Sequence, residues 1–212
     1  MIEVRGLTLE TADVVLAALR DPGLEAAWSN PSSLPRLSVA GLAGHLAGQV
    51  LNIERVLAST HGDSPILALM DHYARAVWIG APLDDPVNVH VRTEGERLAA
   101  DGPHTLALHV AQAIARLRQS LPAEPEDRTV LLPWTGWRLS LDDFLVTRML
   151  EMTVHLDDLA ASAPVSMPAT PEAAAGVVLD LLVRLAVRRH GTTAVLRALS
   201  RSERAPASIA AI

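Results

Sequence analysis

Thr147-Arg148-Met149-Leu150-Glu151-Met152-Thr153-Val154-His155-Leu156-Asp157-Asp158-Leu159 is the stretch that decides the fold. Stepped at about 100° per residue, the segment 141–160 places Phe144, Thr147, Arg148, Glu151, His155 and Asp158 on one helical face. Leu141, Leu145, Met149, Met152, Leu156 and Leu159 flank that face on one side, and Val146, Leu150 and Val154 on the other. A solvated polar face does not have apolar flanks on both sides, whereas a polar stripe turned into a helical bundle does. Arg, Glu, His and Asp are seldom buried unless paired or bound to something. Glu151 and His155 stand four residues apart, so a helix aims their carboxylate and imidazole at one point. The spacing alone favours an ordinary surface pair; the apolar flanks turn the reading to a ligand pair.

A third ligand from another helix completes three protein donors with one coordination position open, the pattern of catalytic rather than structural metal sites. His45, in Gly41-Leu42-Ala43-Gly44-His45-Leu46-Ala47-Gly48, is the candidate. Along a helix through that run, Leu42, His45, Gln49, Asn52 and Ile53 share a face, which gives His45 polar neighbours. The other histidines, at 61, 72, 90, 104, 109 and 190, show no ligand-like spacing and read as surface or core residues.

Half of the 212 residues are hydrophobic but only four Trp, one Tyr and one Phe are aromatic, so Leu, Ala and Val must fill the core. Such a composition, with little β-branched alternation, predicts an all-α protein. A formal charge of −6, with no basic cluster beyond Arg188-Arg189, argues against a nucleic-acid partner. No apolar run reaches the ~20 residues that span a bilayer, and Met-Ile-Glu-Val-Arg is not a basic-then-apolar leader. With no cysteine, disulfides are excluded, the cytoplasm is the expected compartment, and any thiol chemistry needs a thiol from a small molecule.

Helices are predicted over 8–20, 39–59, 64–79, 86–100, 104–120, 141–160, 171–190 and 192–200. Asp21-Pro22-Gly23, His61-Gly62-Asp63, Gly80-Ala81-Pro82 and Asp101-Gly102-Pro103 separate the earlier ones. Ser38 and Ser140 are the expected N-caps of the two ligand helices. Residues 28–36 read as a turn-rich loop, 121–138 as Pro-rich and too irregular for a helix, and Pro164–Pro171 as a linker; Gly191 is expected just past a helix end. Residues 1–163 are expected to form a metal-binding helical bundle, and 164–212 a linker and C-terminal helical extension packed on it.

Val39-Ala40-Gly41-Leu42-Ala43-Gly44-His45-Leu46-Ala47, Leu132-Pro133-Trp134-Thr135-Gly136-Trp137, the 147–159 run, Arg188-Arg189-His190-Gly191 and Arg197-Ala198-Leu199-Ser200-Arg201 together resemble the mycothiol-dependent maleylpyruvate isomerase family. That family belongs to the DinB-like metal-binding four-helix bundles. The resemblance spans most of the chain. It implies a four-helix bundle with additional C-terminal helices, and a divalent ion on His45, Glu151 and His155. Zinc is the expected metal, with nickel or iron also accepted by such a set. Mycothiol is the implied thiol cofactor, its sulfur taking the open metal position, and a cis–trans isomerase or thiol S-transferase acting on a small electrophilic substrate is the implied activity.

Arg148 is a candidate for holding a substrate carboxylate, or a salt-bridge partner of Glu151 or Asp158. Asp158 is read as an orienter of His155 or as the helix's charged end. Trp28 and Asn30, in the loop before the His45 helix, Gln49, and Trp134 are candidate cofactor contacts; Trp134 and Trp137 also fit a plain packing role. One departure from the founding isomerases is that 156–212 reads as helical and too short for the separate α/β domain they carry. The substrate therefore stays open, as does a homodimer. Two other functions fit the same site: a water-activating metal hydrolase or biosynthetic enzyme without the thiol, and a non-catalytic metal-binding regulatory protein.

Overall fold

Helix α3 (Val39–Leu57) begins at Ser38, whose Oγ accepts the Gly41 N–H at 2.9 Å, and α7 (Leu141–Ser162) begins at Ser140, whose Oγ accepts the Asp143 N–H at 3.0 Å. Both caps satisfy amides that the helix itself leaves unpaired. The computed structural model describes residues 3–59, 63–166 and 169–212. His61 and Gly62 of the expected turn, and Met167 and Pro168 of the expected linker, lie outside the described residues.

The remaining helices are α1 (Val4–Leu19), α2 (Pro22–Ala27), α4 (Leu69–Ala74), α5 (Pro86–Ala99), α6 (Gly102–Ser120), α8 (Glu172–His190) and α9 (Thr192–Ser200). Helices α1, α6, α3 and α7 pack in that cyclic order into a four-helix bundle. Their facing sides supply its core, including Val15, Ala18, Leu46, Ile53, Val110, Ile114, Phe144 and Met149, all essentially inaccessible. The all-α fold and the bundle read from the sequence are those observed. Helix α8 lies on α7 and α1 and adds Ala174, Val178, Leu181 and Leu185 to the same core, with α9 packed on α8. No helix among the described residues is long and apolar enough to cross a membrane.

Four local features differ from the sequence expectation. Helix α1 starts at Val4 rather than at residue 8 because Arg5 anchors its first turn. The Arg5 guanidinium donates to Asp142 and to the carbonyls of Leu121, Glu124 and Pro125. Asp21 ends α1 but also caps α2, accepting the Gly23 N–H at 2.7 Å with Pro22 in the first turn. The expected helix over 64–79 shrinks to Leu69–Ala74, because Pro65, Ile66 and Leu67 run alongside Arg138 instead. Arg138 N–H donates to the Pro65 carbonyl at 2.8 Å and Leu67 N–H to the Arg138 carbonyl at 2.9 Å. Residues 129–140, which overlap the stretch expected to be irregular, form a short hairpin, β1 (Thr129–Leu131) antiparallel to β2 (Arg138–Ser140) with Val130 opposite Leu139. This hairpin feeds directly into α7.

Helix α5 covers the outer side of α3 at unusually close range. The Gly44 backbone lies against the Gly95 carbonyl, so that a Cβ on either glycine would strike backbone of the other helix. Glu96 ties the two together, accepting from Ser38 Oγ at 2.7 Å. Since His45 follows Gly44, this contact sets how α3 is rotated and therefore where the imidazole is carried.

Candidate metal centre

His45 projects from α3 and Glu151 and His155 from α7, two helices that face each other in the bundle. The donor atoms of the three residues all lie within 4.8 Å of one another. Glu151 Oε2 is 3.3 Å from His155 Nε2 and 3.7 Å from His45 Nε2. A tetrahedral ion with ligands at 2.0–2.1 Å has its donors about 3.3–3.4 Å apart, so the set fits a divalent cation with little adjustment. The two imidazoles meet edge to face with centroids 4.7 Å apart. The three side chains are 15–18% exposed, covered enough to exclude bulk solvent yet reachable by a small ligand.

Asp158 accepts from His155 Nδ1 at 2.9 Å. That bond puts the proton on Nδ1 and leaves Nε2 facing Glu151 and His45, the usual role of a carboxylate behind a ligating histidine. Burial disfavours charge on His155, but the hydrogen bonds and charges of Asp158 and Glu151 outweigh it and raise its pKa to about 9. Burial likewise opposes the Glu151 carboxylate, yet His155, His45 and Arg148 hold it well below the usual carboxylate range. His45 shifts the other way: burial lowers its pKa, the contact with Glu151 only partly opposing it. The chain thus presents one firmly anionic donor and one readily deprotonated imidazole at the same point.

Gln49 and Arg148 complete the surroundings. Buried Gln49 donates to the His45 carbonyl at 3.0 Å, its Nε2 lies 3.2 Å from His45 Nε2, and its Oε1 accepts from Arg148. Arg148 Nε donates to Thr147 Oγ1 at 3.1 Å, and its guanidinium lies over the Phe144 ring, 5.4 Å from the centroid. Among the described residues Arg148 has no carboxylate at salt-bridge distance, so neither Glu151 nor Asp158 pairs with it directly. Trp134, in the hairpin turn, is 46% exposed, and its ring centroid lies 6.5 Å from that of Phe144.

Trp28 and Asn30 bond to the first turn of α3 through their carbonyls, which accept the Ala40 and Val39 N–H groups respectively. Two polar residues that spacing does not single out, His72 and Tyr73, are buried on the six-residue α4. The charges that act on both are those of Arg148 and Glu151. Trp137, which follows the hairpin turn, donates its Nε1–H to His72 Nδ1 at 3.1 Å.

Residues 9–160 match the family described as the mycothiol maleylpyruvate isomerase N-terminal domain. Among solved structures, a crystal structure of the mycothiol-dependent maleylpyruvate isomerase is similar, with a TM-score of 0.54 at 19% identity. The match covers 87% of this chain and 68% of that one, and at that identity it speaks for a shared fold. No curated protein matches the chain.

Proposed function

The chain belongs to the family of mycothiol maleylpyruvate isomerase N-terminal domains, and from that premise we propose that it is a divalent-metal-dependent, mycothiol-using enzyme. Its substrate is a small carboxylate-bearing electrophile and its reaction cis–trans isomerisation or S-transfer. The observation that carries this reading is the convergence of His45, Glu151 and His155 from facing helices at metal-donor separations. Those three residues would hold the ion, and two histidines with one glutamate is a donor set of catalytic zinc. When bound, a divalent ion keeps a coordinated thiol deprotonated at neutral pH. The chain has no cysteine of its own, so the sulfur comes from the cofactor.

The surrounding side chains have separate tasks. Asp158 holds the His155 tautomer. Gln49 links the His45 backbone to Arg148, so that the cation is positioned relative to the ligands. Arg148, seated on Phe144 and without an acidic partner among the described residues, orients a substrate carboxylate through two parallel N–H donors. Trp134 borders the approach.

Turnover of maleylpyruvate by the zinc-loaded protein, with and without mycothiol, tests the reading; equal rates in both would contradict it. Arg148→Lys is expected to retain full metal content but to raise KM about tenfold or more, because an ammonium cannot reproduce the planar two-point contact. Loss of metal in that variant would instead make Arg148 a support of Glu151.

A further inference from the structure

The side-chain amide of Gln49 touches both a metal ligand and the cation, and it holds one N–H more than those contacts need once an ion is bound. The residue is 3% exposed. Its Oε1 accepts from Arg148, and its Nε2 donates to the His45 carbonyl at 3.0 Å. These two partners settle which end of the amide is which. A guanidinium only donates and a carbonyl only accepts, so a flipped amide would set donor against donor and acceptor against acceptor. One N–H of Gln49 is thus taken by the His45 carbonyl. For the other, the further acceptor among the described residues is His45 Nε2, 3.2 Å from the amide nitrogen.

A neutral imidazole has one acceptor nitrogen, and its lone pair goes either to an N–H or to a metal ion. An ion held by His45, Glu151 and His155 therefore takes the acceptor of the second Gln49 N–H. The amide itself stays in place, because its first N–H and its Oε1 remain bonded to the His45 backbone and to Arg148. A buried N–H without an acceptor costs a folded protein stability, and such groups are uncommon unless a ligand or water completes them. With a zinc–nitrogen bond of about 2.0–2.1 Å and the amide nitrogen 3.2 Å from the same His45 atom, the ion stands within about 5 Å of the freed donor.

We propose that Gln49 binds the exogenous ligand of the metal centre: on metal loading its second amide N–H passes from His45 Nε2 to the thiolate sulfur in the open coordination position. This rests on the reading above that the triad holds a divalent ion and that its exogenous ligand is a thiol. No proton is transferred. The amide supplies a neutral N–H, and an ionised acceptor takes such a donor more strongly than a neutral one does. The thiolate and the substrate-holding Arg148 are then bound to opposite ends of one amide, which sets the nucleophile relative to the substrate carboxylate.

Gln49 is the one buried glutamine of the chain, Gln112 and Gln119 being exposed, so its side-chain amide is distinguishable in nitrogen-labelled protein. Mycothiol is titrated into the zinc-loaded full-length protein and into Gln49→Leu, with Gln49→Met as a second variant of nearly unchanged length. The expected result is a shift of one Gln49 amide proton when zinc binds and a further shift of the same proton when mycothiol follows. Mycothiol binds about tenfold or more weaker in both variants, the worth of one hydrogen bond to a charged group. In the cobalt-loaded proteins the sulfur-to-metal charge-transfer band moves to lower energy in the variants, because a sulfur that has lost the N–H holds its electrons less tightly. Zinc content stays the same, since the variants keep all three donor atoms. Equal mycothiol affinity in wild type and variants, with an amide proton unmoved by the thiol, would overturn the inference and leave Gln49 a support of Arg148 alone. Loss of zinc from both variants would also overturn it, making Gln49 a support of His45. Failure of the zinc-loaded wild type to bind mycothiol would overturn the thiol reading, and this inference with it.

Discussion

His155→Ala will lose metal affinity by more than about 100-fold, while Asp158→Asn will lose about 10- to 100-fold, the range typical of partners behind a ligating histidine. The order follows from the geometry. His155 contributes a donor atom 3.3 Å from the Glu151 oxygen, whereas Asp158 acts only through the 2.9 Å bond that fixes the imidazole's tautomer. Elemental analysis after equilibration with buffered zinc measures both. His45→Ala and Glu151→Ala should fall with His155→Ala, because each removes one of three donors. The variants should remain folded, since the side chains are partly exposed and the bundle core is formed by separate leucines, valines and methionines. Full zinc occupancy in His155→Ala would remove the residue from the site.

Gly44→Val is the second large effect, and it acts on the fold that carries His45. A Cβ at Gly44 meets the Gly95 carbonyl and stands 3.2 Å from the Ala99 Cβ. Backbone atoms cannot rotate aside as a flexible side chain would, so α3 and α5 must move apart. Overpacking of this kind costs about 3 kcal/mol or more, equivalent to a fall in melting temperature of roughly 6–12 °C for a domain of this size. Gly176→Ala on α8 is the control, because nothing lies within 4 Å of its Cβ position. Its helix propensity should add up to about 1 kcal/mol. Calorimetric melting of the two variants separates close packing from propensity: opposite signs support the α3–α5 contact, and two stabilised variants would refute it.

The ligand helices were the most legible part of the sequence because periodicity, caps and chemistry agree there. Ser38 and Ser140 are the caps observed, α3 and α7 lie within about two residues of their expected bounds, and Glu151 and His155 do face His45. Segment 64–79 was less legible because its structure is decided from outside. Pro65 and Leu67 bond to Arg138, some seventy positions away, and that pairing replaces helical bonds that the local residues would otherwise support. The hairpin 129–140 escaped because strands of three residues are too short to show alternation. The burial of Tyr73 and His72 was invisible for a related reason: a six-residue helix has no periodicity to read. The partnering of Arg148 was likewise undecidable from spacing. Glu151 and Asp158 are in sequence range, yet the guanidinium pairs with Gln49 on the facing helix, which no helical register predicts.

Calorimetric titration of mycothiol into zinc-loaded and metal-free protein tests whether an exogenous thiol binds at the three-donor metal centre. A free cysteine thiol with pKa near 8.5 is mostly protonated at neutral pH, whereas a coordinated one is not. Run in two buffers of different ionisation enthalpy, the titration should show binding to the zinc-loaded form alone, with release of close to one proton per thiol. Equal binding to the metal-free protein, or no binding to either form, would contradict a metal-bound thiol and make a water-activating metal enzyme the better description.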